Sequence, residues 1–384
     1  MRLQFLLILY FIYFIFQILL VSCRSDQSYD SGEAINNNEL FSLVDTIVLK
    51  TDSIKYFDYI TSINQAIIDN KNYLYLAGRN EIVFYNVPEF KYAFKVTYPD
   101  QEPNSIGPFS NNDGYFVFNE KVYFMSHSTG SVFELGLNGE ILNKYTLNIN
   151  EGTGALFYEG WYGSSVLNRN EFIINTYAFD DYPDLTQAGS FYIFNSKNGS
   201  FNKGITYPQA INQNYWGYHP FMRWSHTTLI NDHFVVNYNV LNEIYIYDKD
   251  YKLLSKKALN SDYITKISPL NEDGKLRLIN VNLQRTPEED AYFSEVSFYC
   301  GSIFSAENNR YLRFVRLGRG IIGSDDAVRF TIILADQNLN KIKEIILDQK
   351  YSLYHYFIYK NMLCLKDKNK SNDDQFFFEC YNIK

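Results

Sequence analysis

His233-Phe-Val-Val-Asn-Tyr238, Glu243-Ile-Tyr-Ile-Tyr-Asp248, Lys249-Asp250 and the run 251–259 set the reading of this chain. The second segment alternates Ile with Tyr between Glu243 and Asp248, the first is a run of Phe, Val and Tyr, and a short polar break separates each segment from the next. That is the pattern of antiparallel strands joined by tight turns. The same unit recurs along the chain: 72–77, 82–86 and 90–98; 122–126, 132–135 and 141–147; 172–177 and 191–195; 311–316, 330–336 and 341–347; 356–359, 362–365 and 376–381. Asn138-Gly139 and Asn198-Gly199 stand at turns, where Asn-Gly is a hairpin signal because both positions tolerate positive φ. No long amphipathic helix is read anywhere.

Anchors at Tyr73, Val122, Phe172, Phe234, Tyr311 and Phe357 lie 49, 50, 62, 77 and 46 residues apart. This spacing suits four-stranded blades with insertions, so the fold expected is an all-β propeller with six blades. Segments such as 224–230 and 297–304 supply the innermost strands. Residues 275–283 form an unassigned strand that allows a seventh blade. Residues 43–50 precede the first repeat and can close the ring on the last blade, removing an unpaired sheet edge. A pair of β-sandwiches is the alternative, since alternation alone does not distinguish stacked sheets from radial ones. The composition fits either, with 34 Tyr and 31 Phe giving an aromatic fraction of 18%, because these rings suit half-buried sheet surfaces.

The opening of the chain carries an address. Residues 3–22 are apolar except for Gln4, Gln17 and Ser22, and they end in Leu20-Val-Ser-Cys23, a small residue directly before a cysteine. This resembles a bacterial lipobox, in which Cys23 takes a diacylglyceryl group and becomes the mature N-terminus. A plain transmembrane helix is the alternative, as the stretch is long enough to cross a bilayer. The organisation expected is therefore a lipoprotein signal peptide at 1–22, a polar flexible tether at 23–39 and the propeller at 40–384. Acyl chains on Cys23 make the membrane a partner. The expected location is the cell envelope, on the outer membrane, facing the periplasm or the surface.

The segment Asn309-Arg310-Tyr311-Leu312-Arg313-Phe314-Val315, followed by Ile332-Ile333-Leu334-Ala335-Asp336, adds to these features. With the lipobox, tether and irregular hairpin repeat, it resembles an uncharacterised propeller-like lipoprotein family of Bacteroidetes, a domain of unknown function. The resemblance implies the fold and no activity.

A net charge of −8 argues against nucleic acid as a partner. Of the cysteines beyond Cys23, Cys300, Cys364 and Cys380, the last two flank a polar turn. They are read as buried thiols, with a cross-strand bridge as the alternative. In a propeller the loop between strands 2 and 3 and the loop leading to the next blade emerge on one face. The aromatic segments 155–162 and 212–224 are read as two such inter-blade connections. Trp161, Tyr162, Tyr215, Trp216, Tyr218 and Trp224, beside His219 and Arg223, then form the candidate ligand-binding set. Flat rings beside polar donors suit a saccharide, peptide or protein ligand, although the same aromatics could pack between blades or plug the channel.

The acids Asp180, Asp181, Asp184, Asp325 and Asp326 fall on that face as well. They read as solvated turn residues, and the alternative they leave is a carbohydrate-active hydrolase or lyase with carboxylates near the channel. His219, His226 and His233 recur every seven residues, but across a strand and a turn they do not converge, so no metal site is expected. Gly318-Arg-Gly-Ile-Ile-Gly323 matches a dinucleotide fingerprint in spacing only, because a strand rather than a helix is read behind it. No cofactor is expected. The reading is a membrane-anchored binding or scaffolding module, with a purely structural envelope subunit as a further alternative.

Overall fold

The computed structural model describes residues 41–51, 60–99, 105–107, 113–126, 129–147, 155–157, 165–178, 189–217, 224–270, 286–322 and 328–384. All lie within one compact unit, Ala34–Lys384. The first strand, β1 (Phe41–Lys50), precedes β2 (Ile60–Ile68), β3 (Lys71–Gly78), β4 (Glu81–Asn86) and β5 (Lys91–Thr97), which form blade one. Blade two is β6 (Gly114–Phe118), β7 (Lys121–Ser126), β8 (Ser131–Leu135) and β9 (Ile141–Thr146). Blade three contains β10 (Ala155–Phe157), β11 (Ser165–Asn168), β12 (Glu171–Ala178), β13 (Phe191–Asn195) and β14 (Ser200–Lys203).

After the one-turn helix α1 (Gln209–Asn212), blade four runs β15 (Ser225–Ile230), β16 (His233–Tyr238), β17 (Glu243–Tyr247) and β18 (Leu253–Ala258). Helix α2 (Pro287–Glu295) leads to blade five, β19 (Phe298–Ser305), β20 (Arg310–Leu317), β21 (Arg329–Asp336) and β22 (Lys341–Leu347). The last blade is β23 (Tyr351–Tyr359), β24 (Met362–Asp367) and β25 (Gln375–Ile383), completed by β1.

The result is a six-bladed β-propeller. β1 pairs with β25 from Phe41↔Ile383 to Lys50↔Gln375, so first and last strands share one sheet and the ring is closed. In the last repeat the segment 356–359 lies on the innermost strand, whereas the other five anchors lie on second strands. That copy is therefore displaced by one strand, because its outermost strand comes from the other end of the chain. Residues 275–283, the candidate for a seventh blade, lie outside the described residues.

Each blade buries both faces against its neighbours, which is why strands such as β3 and β4 are buried at almost every position. The rings interlock between blades. Phe116 and Phe172 join blades two and three, with centroids 4.9 Å apart. Phe191 and Phe234 join blades three and four at 5.3 Å, Phe314 and Tyr356 join blades five and six at 4.5 Å, and Phe90 and Tyr359 join blades one and six at 5.0 Å.

Two expectations need correction. Cys364 and Cys380 face each other across β24 and β25 and are joined in a disulfide, because the register places them directly opposite; they are not free thiols. The paired positive φ expected at Asn-Gly occurs elsewhere. Asp69-Asn70, Asn119-Glu120 and Asn231-Asp232 carry it in the two-residue turns between first and second strands. At 138–139 and 198–199 only the glycine is left-handed, with φ +88° and +69°, because these loops hold more than two residues.

Candidate functional site

The face that carries the inter-blade connections is organised by the segments before β15 and β19. Pro208 starts α1, and Trp216 turns back over it, its Nε1 donating to the Ile211 carbonyl at 3.2 Å. Thr286 caps α2 in a reciprocal box with Glu289: the Thr286 hydroxyl accepts from the Glu289 amide, and the Glu289 carboxylate accepts from the Thr286 amide at 2.8 Å. The same Glu289 carboxylate accepts from the Tyr215 hydroxyl. Tyr292 donates to the Ser268 carbonyl at 2.9 Å, and its ring lies over Gly217, where a Cβ would sit 3.3 Å from the ring edge. These contacts latch the connection entering blade four to the connection entering blade five.

Of the eight aromatic-site residues, Trp161, Tyr162, Tyr218, His219 and Arg223 lie outside the described residues. Tyr215, Trp216 and Trp224 are 9%, 3% and 1% exposed, so their ring faces are covered by this chain. The expectation that 155–162 is an inter-blade connection changes at its first three residues, which form β10. β10 and β11 both pair with the same side of β12, so together they make the innermost strand of blade three, and residues 158–164 run between them.

The other constellations also resolve. His226 is buried on β15, and burial pushes its imidazole down to about 3 even though a hydrogen bond with Asn239 opposes the shift. It is neutral at physiological pH. His233 opens β16 at the opposite end of that hairpin, so the two do not converge. Strand β21 follows the 318–323 glycines, the arrangement read from the sequence. Asp180, Asp181, Asp184, Asp325 and Asp326 lie outside the described residues. Among those described, no group of three His, Cys, Asp or Glu side chains could hold a metal ion.

Sequence reasoning missed two features. One is a set of buried carboxylates on the outer strands. Glu379 accepts from Lys350, Lys370 and Tyr351. Burial alone would raise its pKa, but these bonds outweigh burial and hold it at about 2. The Glu134 carboxylate accepts from Lys121 and Tyr145, and the Glu344 carboxylate from Lys341 and Thr331. Lys and Glu at alternate positions of neighbouring strands is the only sequence signal, and it does not separate buried pairs from surface pairs.

The second missed feature is an axial cavity of about 280 Å³. It lies among the innermost strands of blades one, five and six, and it reaches the face that carries the turns after those strands. Ile63, Asn64 and Gln65 of β2 form one wall, and Ile303 of β19 with Phe357 of β23 forms another. Glu307 and Lys360 stand in the turns at the rim. This is the face opposite the aromatic connections. No single segment of sequence marks the cavity, because three strands far apart in the chain make it.

The model of a domain of unknown function, DUF4221, matches residues 35–346. This chain belongs to the DUF4221 family. A crystal structure of a DUF4221 member from Bacteroides vulgatus is similar over 90% of this chain and 98% of that one, with 14% identity and a TM-score of 0.69. A protein from Bacteroides fragilis described as exported is similar over 91% and 98%, with 9% identity and a TM-score of 0.52. No curated protein matches the sequence.

In this DUF4221 chain the segment that carried the resemblance has a structural role. Arg313 is completely buried. Its Nε donates to Asn237 Oδ1 at 2.7 Å, Nη1 to the carbonyls of Asn242 and Leu259 at 2.7 Å each, and Nη2 to the Leu241 carbonyl at 2.6 Å. The guanidinium lies 3.2 Å from the centre of the Tyr299 ring. Burial pushes it down to about 10, which leaves it charged at neutral pH. Arg313 therefore pins the strand 2 to strand 3 loop of blade four, and the start of the connection leaving it, to blade five.

Proposed function

We propose that this DUF4221 chain is a binding or scaffolding module of the cell envelope, lipid-anchored through Cys23. One observation carries the reading, the unequal loading of the two faces of a rigid closed ring. One face bears short hairpin turns. The other bears the long connections 204–224 and 259–297, latched together by Tyr215, Glu289 and Tyr292. Long loops held on a stiff scaffold are where binding surfaces are built.

In this reading Trp161, Tyr162, Tyr218, His219 and Arg223 supply the contacts to a saccharide, peptide or protein. Tyr215, Trp216 and Trp224 form the packed base beneath them. Two findings support an exported location: the Cys364–Cys380 bridge, which persists in oxidising compartments, and the relative described as exported.

The anchor is tested by fatty-acid labelling and fractionation in a host that processes lipoproteins. The wild-type chain is labelled and stays with the membranes, whereas Cys23→Ala is unlabelled. Labelling of the variant would overturn the anchor. The binding face is tested with an array of envelope saccharides and peptides. Whatever the wild type retains should be lost from a Trp161→Ala, Arg223→Ala double variant of unchanged melting temperature, and retention would remove those residues from the site.

A further inference from the structure

The axial cavity lies on the face opposite the proposed binding loops, so its use is independent of them. Its walls are the innermost strands β2, β19 and β23, each paired on one side only. The free side of such a strand presents backbone N–H and C=O groups to whatever lies beside it. One of them is already engaged in this way, as Gln65 Nε2 reaches across from β2 to the Ile358 carbonyl on β23. The cavity wall thus accepts amide donors from outside its own strand.

Its charges are opposite and separate. Glu307 is exposed in the turn after β19, and no ion pair to it occurs among the described residues. Lys360, exposed after β23, has its ammonium 5.1 Å from the centre of the Tyr359 ring and likewise has no carboxylate partner among the described residues. The rim therefore offers one carboxylate and one ammonium that do not neutralise each other. The lining also includes Asn64 and the apolar residues Ile63, Ile303 and Phe357. A volume of about 280 Å³ is just below the ~300 to 1,000 Å³ of sites for drug-sized ligands. It suits a ligand of roughly amino-acid or dipeptide size.

We infer that the axial cavity between β2, β19 and β23 binds a small zwitterion, a free amino acid or short peptide. The ammonium of the ligand meets Glu307, its carboxylate meets Lys360, the amide of a peptide ligand meets Asn64 and the strand edges, and a small apolar side chain lies against Ile63 and Ile303. Two charge-assisted contacts fix its direction along the axis.

The test uses the full chain and the dipeptide alanyl-alanine at millimolar concentration, with binding read by saturation-transfer NMR and by titration. Alanyl-alanine binds, and the form blocked by N-acetylation and C-amidation does not. Glu307→Gln and Lys360→Gln each weaken binding by about tenfold or more, without a change in melting temperature, since both residues are exposed in turns. Absence of saturation transfer from alanyl-alanine overturns the inference. So does equal binding of the blocked form, or affinity unchanged in both variants.

Discussion

Arg313 holds its place through neutral acceptors alone, with four hydrogen bonds that run to one side-chain amide and three backbone carbonyls. Removing it leaves those acceptors buried without a donor, at a cost of ~1–3 kcal/mol for each group that water cannot reach. Arg313→Ala should lower unfolding stability by about 3 kcal/mol or more, and Arg313→Lys should recover little, because an ammonium cannot span the same fork. Urea denaturation of both variants checks this, and a loss below ~1 kcal/mol would remove Arg313 from the frame. Glu379 makes a separate prediction about pH. Its folded-state pKa of about 2 lies below the ordinary value of 4.5, so the stability it contributes is complete above pH 4.5 and is lost as pH falls from there through about 2. Thermal melts across that range should show a steeper acid loss for the wild type than for Glu379→Gln. Equal slopes would count against the pairing. The sequence marked Arg313 as part of a recurring segment without revealing its role, because its partners Asn237 and Leu259 belong to the preceding blade.

At the scale of elements, the strands were legible and their environments were not. The 233–238 and 243–247 strands were located by their runs of Phe, Val, Ile and Tyr between polar turns, although both strands are buried on both faces. The same signal could not separate the exposed binding aromatics expected at Tyr215, Trp216 and Trp224 from packing aromatics, since a ring buried by a neighbouring connection leaves no periodic trace. The segment 155–162 was read as an inter-blade connection although it opens with β10, which spans three residues, too few to alternate visibly. The β24–β25 pair gives a prediction of its own. Cys364 and Cys380 close a loop with a sequence separation of 16, and in the loop-entropy account such a bridge contributes about 3 kcal/mol. Reduction with dithiothreitol, or the Cys364→Ala, Cys380→Ala variant, should lower the denaturation midpoint accordingly. Cys300 is buried, with its thiol pushed up to about 12, so it should stay unmodified by iodoacetamide until the chain unfolds. An unchanged midpoint on reduction would mean that the bridge does not form.

For the molecule as a whole, the repeat length and the hairpin grammar were enough to anticipate a ring of six. The cavity was not foreseeable in this way, because it depends on residues from blades one, five and six meeting at an axis. Closure is the claim on which both proposed sites rest. It brings Glu307 and Lys360 to the same mouth as Asn64, and it keeps the connections entering blades four and five on the other face. Closure depends on ten residues, Phe41–Lys50, sealing the last sheet. The direct test is amide hydrogen exchange of the peptide covering 41–50, measured beside the peptide covering 375–383. The closed ring predicts that both are protected together and lose protection together as denaturant rises. Exchange of 41–50 at the rate of unpaired chain while 375–383 stays protected would contradict it.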